Sequence, residues 1–204
     1  MTQTLEEVAA AAAGCVRCRL SAGRTQVVFG DGSPTADLMF IGEGPGFHED
    51  KQGIPFVGAA GQLLNRLLSE IGLAREDVYI CNVVKCRPPG NRDPLPDEIE
   101  ACGEYLRSQL DLVGPRVIVT LGNFATRVIL DRPVAISRVR GQRYPVDGRT
   151  VIPTFHPAAA LRAGGDASPT MRALREDFAM MREALAEAAA AAPAPVPSEQ
   201  LGLF

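Results

Sequence analysis

Both common phosphate-binding loops are missing from this sequence: there is no GxxxxGK[ST], and Gly42, Gly44 and Gly46 are spaced differently from G-x-G-x-x-G. No apolar run approaches the roughly 18 residues that suggest a membrane helix. Met1 to Glu7 has neither a basic n-region nor an apolar h-region, so no secretory signal is expected and the reading is cytoplasmic. Structural disulfides are rare in that compartment, and the five cysteines need another explanation. There is only one CxxC, whereas zinc ribbons usually pair two. The net charge of −3 gives no general signature of nucleic-acid binding. That weighs against a protein coating long stretches of phosphate backbone and leaves one that grips a few phosphates locally. Histidine is scarce, with two residues, and no internal repeat is visible.

What is present has ordinary globular proportions. The chain has 204 residues, 46% hydrophobic and 22% charged, enough for one domain with a full core. It is organised around Gly42 to Leu64. The apolar run Ala36 to Ile41 predicts a buried strand, and Leu63, Leu64, Leu67, Leu68 and Ile71 recur at helical spacing. Between them lies a glycine-rich loop carrying Glu43, Glu49, Asp50 and Phe56. Glycines let a backbone approach a ligand closely, and the mouth beyond a strand's carboxyl end is where ligands sit in open α/β sheets. Solvated acids account for Glu49 and Asp50; they account poorly for Glu43, wedged between glycines at a strand end.

The rest of the chain alternates strands and helices. Thr4 caps an alanine-rich helix to Ala13, and Gln26 to Phe29 reads as a short edge strand. Asp77 to Val84 and Arg116 to Leu121 read as buried strands, followed by helices from Pro96 and Gly122. A hairpin over Gln142 to Phe155 turns at Asp147-Gly148, and Ser168-Pro169 opens a last helix. The pattern implies an α/β fold: a three-layer α/β/α sandwich around a short, mostly parallel central sheet. The organisation expected is a domain over 1–187, an Ala/Pro-rich linker over 188–199 and a terminal peptide over 200–204.

Cys15 and Cys18 form the CxxC, Cys86 follows a strand and Cys102 lies on the next helix. Four thiolates suit zinc or an iron–sulfur cluster, and spacing does not separate the two. Cys81, inside its strand, suits the role of a small buried hydrophobe. Asn82 also sits in that strand; its amide both donates and accepts and can read a base edge, although a buried Asn satisfied by backbone explains it in isolation. His48 lies in the polar loop, exposed. His156 ends a strand and is held extended by Pro157. If those strands share one sheet, Glu43, Asn82 and His156 converge on one crevice with Phe56 above it.

GEGPG, PFVGxAGQLL, the strand-borne Asn before VVKCRPP, the sequence Cys15-Val16-Arg17-Cys18, and Phe155-His156-Pro157 together resemble family 4 uracil-DNA glycosylases, the iron–sulfur type, over residues 5 to 185. The resemblance implies a 4Fe–4S cluster on Cys15, Cys18, Cys86 and Cys102. It also implies that uracil is flipped from DNA and its N-glycosidic bond hydrolysed, in a monofunctional reaction that initiates base excision repair. By position, Gly42 and Gly44 line the substrate site and Phe56 stacks on the extruded uracil. Asn82 pairs with its O4 and N3–H, and His156 donates to O2. Glu43 positions water or stabilises the cationic sugar, and Glu49 lies near the C5 edge. Ala160 stands where a bulky wedge is usual in the superfamily, with Leu161 beside it. Lys85, Arg87, Arg92, Arg138, Arg140, Arg143, Leu161 and Arg162 are the expected DNA contacts. Non-catalytic or covalently trapping uracil-DNA binding is the alternative; the basic, histidine-containing insert of a trapping cousin is not seen. The protein is expected to be a monomer. Gln200 to Phe204, QLGLF, resembles the short peptides by which repair proteins hold the sliding clamp.

Overall fold

The structure is a computed structural model that describes residues 3–191; the clamp-like peptide Gln200 to Phe204 lies outside them. Six strands form one sheet: β1 (Asp31–Gly32), β2 (Leu38–Gly42), β3 (Tyr79–Asn82), β4 (Val117–Leu121), β5 (Tyr144–Val146) and β6 (Arg149–Thr154), in the order β1-β3-β2-β4-β6-β5. The four central strands run parallel, and β1 and β5 pair antiparallel at the two edges. The helices are α1 (Leu5–Ala13), α2 (Phe47–Gln52), α3 (Ala59–Glu70), α4 (Pro96–Val113), α5 (Gly122–Leu130), α6 (Ile136–Val139), α7 (Pro157–Arg162) and α8 (Pro169–Ala190).

The layers follow from strand alternation. In β2, Leu38 and Phe40 face one way, into a core with Leu64, Leu67 and Leu68 of α3 and Met171, Leu174 and Phe178 of α8. Met39 and Ile41 face the other way, into a core with Val8 of α1, Tyr105 and Leu106 of α4 and Ala125 of α5. The expected sandwich is therefore present, and every residue of the three inner strands β2, β3 and β4 is buried.

Local chemistry fixes several boundaries. Thr4 forms a capping box with Glu7 at the start of α1, and Ser168 caps α8 through Met171 N–H. The hairpin turns at Asp147 and Gly148, both at positive φ, the geometry that matches the twist of the flanking strands. Two expectations change. Gln26 to Phe29 is not a sheet strand; Val28 makes a backbone bond to Lys85 O, and the edge ladder is taken by Asp31–Gly32. The glycine-rich loop also contains α2, where Asp50 is buried and accepts from Thr25 N–H rather than being solvated.

Connectivity places the cleft. From β2 the chain moves outward to β3, then returns to the other side of β2 for β4. Such a reversal opens a crevice at the strands' carboxyl ends.

Candidate active site

That crevice is a cleft of about 600 Å³. The ends of β2, β3, β4 and β6 deliver Glu43, Asn82, Leu121 and His156 to it, and Phe56 closes one side. Glu43, Asn82 and His156, the three residues expected to converge, all line this cleft with Phe56, because parallel strands present their carboxyl ends to one sheet edge.

Asn82 is 1% exposed and pairs in register with Gly42. Its backbone carbonyl accepts from Lys85 Nζ at 2.6 Å. Its side-chain Oδ1 is buried without a hydrogen-bond partner. A buried acceptor left unpaired carries a desolvation cost of about 1–3 kcal/mol, so it is a place where a ligand donor is rewarded. Gly42 is required beside it: a Cβ there would stand 2.4 Å from Asn82 Oδ1 and 2.7 Å from Phe56 Cζ. Any side chain at 42 would displace both the amide and the ring. A Cβ on Gly44 would likewise meet Val84 Cγ2 at 2.8 Å.

Phe56 lies nearly parallel to the His156 ring, with centroids 5.6 Å apart and 27° between planes. His156 is the N-cap of α7, and its Nδ1 accepts from Ala158 N–H at 3.2 Å. A neutral imidazole that accepts through Nδ1 carries its proton on Nε2. Burial first, and then the Arg162 guanidinium, lower the His156 pKa to about 4, so the ring is neutral at physiological pH. Glu43 is shifted the opposite way for a carboxyl: burial, with Asp93 as a second cause, raises it to about 7. Two titratable groups pushed apart in one cleft have the character of an acid–base or electrostatic pair.

Glu49 lines the cleft, and its Oε1 accepts from both Val57 N–H and Gly58 N–H at 2.9 Å. It therefore joins the cleft wall to the first turn of α3. Asn91, Asp93, Asn123 and Arg127 also line the cleft and escaped the sequence reading. They lie outside any motif, and only the sheet's topology brings them in.

The expected DNA contacts divide. Arg162 lines the cleft, as does Arg92, although the Arg92 guanidinium is already forked onto buried Glu98 at 2.6 and 2.9 Å; Arg87 donates to Asn91 Oδ1 beside it. Leu161 is 41% exposed next to Ala160, which is fully buried in the core and so cannot act as a wedge. Lys85 must be corrected: it is 1% exposed, and its ammonium is held inside by Asn82 O and Gln109 Oε1. A lysine so enclosed offers nothing to phosphate. Arg140 must also be corrected, because its guanidinium forks onto buried Asp177 at 2.6 and 3.0 Å and bonds Ala173 O. Arg143 pairs with Glu187, and Arg138 is exposed; neither lines the cleft.

Cys15, Cys18, Cys86 and Cys102 line a second, narrow recess. Arg24 donates to Cys86 Sγ at 3.5 Å and to Cys15 O at 2.6 Å, and the Lys85 N–H donates to Cys102 Sγ at 3.3 Å. Among the described residues, no group of three or more His, Cys, Asp or Glu is arranged to hold a metal ion as it stands. Burial raises the Cys86 thiol to about 11 and also raises Cys102. Cys81 is fully buried inside β3, apart from this recess. Among the described residues no helix is long and apolar enough to cross a membrane.

Comparison with known proteins agrees with the cleft. The model of the uracil DNA glycosylase superfamily matches residues 29–185. A type-4 uracil-DNA glycosylase of Sulfurisphaera tokodaii is 47% identical over 190 residues, covering 88% of this chain and 84% of its own. One from Thermotoga maritima is 53% identical over 152 residues, 72% of this chain and 78% of its own. A type-5 uracil-DNA glycosylase of Pyrobaculum aerophilum is 33% identical over 144 residues, 62% of this chain and 63% of its own.

Proposed function

The chain belongs to the type-4 uracil-DNA glycosylases, DNA N-glycosylases that hydrolyse uracil from DNA, and on that premise we propose how its own cleft performs the reaction. Uracil leaves the base stack and enters between Phe56 and the sheet edge. Unstacking costs a few kcal/mol, least at mismatches, and stacking with base-edge hydrogen bonds returns it. The observation that carries the assignment is the unpaired Oδ1 of Asn82. It accepts from uracil N3–H, and the amide nitrogen donates to O4. Cytosine offers the reverse pattern at those two atoms and is refused.

As the glycosidic bond breaks, negative charge builds on the base and positive charge on the sugar. His156, neutral with its proton on Nε2, donates to O2 and stabilises the anion without having to lose a charge of its own. Glu43, once ionised, faces the cationic sugar or orients the attacking water. Glu49 fixes the wall near the C5 edge, where a thymine methyl must be refused. Arg87, Arg92, Arg162 and Leu161 sit at or beside the cleft, where phosphates and the vacated stack would lie.

The four cysteines of the second recess suit a 4Fe–4S cluster by donor chemistry: soft sulfurs converging on one space, two of them already receiving N–H donors. When bound, the cluster would tie the Cys15–Cys18 segment to Cys86 and α4. Hydrolysis needs no electron transfer, and no step passes through it. The protein is read as a cytoplasmic monomer of one domain, with a linker that begins beyond α8, which runs to Ala190 rather than ending at 187, and that presents Gln200 to Phe204 to a sliding clamp.

The test is Asn82→Asp, assayed by single-turnover base release on matched uracil and cytosine oligonucleotides. The carboxylate removes the donor to O4 and supplies an acceptor for cytosine N4–H₂. Much reduced uracil release with weak cytosine release is expected. Unchanged uracil release means that Asn82 is not the reader.

A further inference from the structure

Phe56 holds a backbone conformation that its side chain disfavours. Its φ is +52°, in the left-handed region where a Cβ crowds the following carbonyl. Non-glycine residues stay there only where their surroundings over-determine them. The surroundings here are two charged side chains that grip one tight segment. Glu49 takes the N–H groups of Val57 and Gly58. Arg75 takes the carbonyls: one terminal nitrogen donates to Pro55 O at 2.6 Å and the other to Phe56 O at 3.3 Å.

Arg75 is itself fixed. Its Nε donates to Asp31 Oδ2 at 2.8 Å, and the nitrogen that reaches Phe56 O also reaches Asn65 Oδ1 on α3 at 3.2 Å. Its side chain is only 20% exposed. The planar fork thus spans two successive carbonyls with an edge-strand carboxylate behind it, a geometry that a lysine cannot reproduce. Gly61 leaves the space: a Cβ there would sit 1.7 Å from Phe56 O. The ring that results is the one packed against the space over Gly42 and parallel to His156. Arg75 does not line the cleft.

We propose that Arg75 is a positioning residue for base recognition: it locks Phe56 in the left-handed conformation that aims its ring at the extruded uracil. The proposal rests on the reading of Phe56 as the stacking platform, so its test separates the two.

The experiment is a double-mutant cycle of Arg75→Ala and Phe56→Ala, read by single-turnover uracil release with saturating enzyme, with thermal melts to establish folding. Phe56→Ala should lower the rate by roughly 10- to 100-fold, the scale of losing one base–aromatic stack. Arg75→Ala should lose about 10-fold alone and less than about twofold in the Phe56→Ala background, because its effect passes through the ring. Arg75→Lys keeps the charge beside Asp31 but not the fork, and should fall between wild type and Arg75→Ala. It also supplies the cycle if Arg75→Ala does not fold. If the Arg75 effect persists undiminished without the Phe56 ring, the proposal is overturned while the Phe56 reading stands. If Phe56→Ala releases uracil at the wild-type rate, the Phe56 reading fails and the proposal fails with it.

Discussion

His156 shows how much depends on a single contact. The Ala158 N–H at its Nδ1 selects the tautomer, and burial keeps the ring neutral, so the cleft holds a fixed Nε2–H donor of the kind the proposed mechanism uses. In the proposed mechanism Glu43 sets the pH dependence of the cleft. With a pKa near 7 in the free enzyme, its ionised fraction rises through neutrality. Single-turnover uracil release at subsaturating enzyme should climb with pH through about 7 and level off above it. Glu43→Gln should abolish that limb, and Asp93→Asn should move it to lower pH by removing the second cause of the shift. An unchanged limb in Glu43→Gln would assign the titration elsewhere. The signs for stability oppose. Between pH 6.5 and about 4 the unfolded chain binds a proton at His156 that the native state does not, so this residue destabilises the fold as pH falls through that window. Glu43 binds its proton more tightly when folded, so its contribution is present below 4.5 and is lost as pH rises towards 7. The residues legible in the sequence were those with an odd type for their place: an Asn in an apolar strand, a Glu between glycines, a His at a strand end. Lys85 was misread because a lysine after a strand usually reaches solvent; here the acceptors Asn82 O and Gln109 Oε1 turn it inward. Arg75 was passed over because its partners are backbone carbonyls, which leave no motif.

At the scale of elements, the central strands and the long helices followed from periodicity, and their register put Gly42 beside Asn82. The edge did not follow. Gln26 to Phe29 has strand-like residues but makes only isolated pairing, whereas a two-residue segment through Gly32, at φ +110°, forms the antiparallel edge. Short edge strands are set by what neighbours leave open rather than by propensity. The segment carrying Cys15 and Cys18 is bound to α4 by Arg19–Asp97 at 2.6 Å and by Arg17–Glu104. These pairs are exposed, so solvent screening leaves them weak fastenings. A metal centre on Cys15, Cys18, Cys86 and Cys102 would be the stronger fastening. Cys86→Ser should therefore lower iron content and folded yield in purified protein, while Cys81→Ser, inside β3, should leave the iron in place. Equal iron loss in both would remove this set of four as the ligands.

At the scale of the whole molecule, the topology gathers some cations of an acidic chain at one cleft, where the proposed function places DNA phosphates. Arg127 and Arg162 line one cleft together with Arg92, whose guanidinium is forked onto buried Glu98, while Arg140, Arg143 and Arg175 are paired with carboxylates elsewhere. Net charge alone could not show this, because it sums over the surface that topology sorts. Tethering would add what charge does not. If Gln200 to Phe204 holds a sliding clamp, deleting it should abolish clamp binding and leave activity on free oligonucleotides intact. A labelled tail peptide with no saturable binding up to about 1 mM clamp, worth only about 4 kcal/mol, would leave that segment without this partner. Base excision in the cleft is the activity on which the other predictions about the cleft depend. The direct measurement is incubation of the purified full chain with an end-labelled oligonucleotide holding one uracil, followed by alkali and resolution of the fragments. Scission at the uracil position and none at a matched thymine is predicted, with the rate falling roughly 10²–10³-fold in folded His156→Ala. Intact strands with the wild-type protein, or a loss under about threefold in that variant, would contradict it.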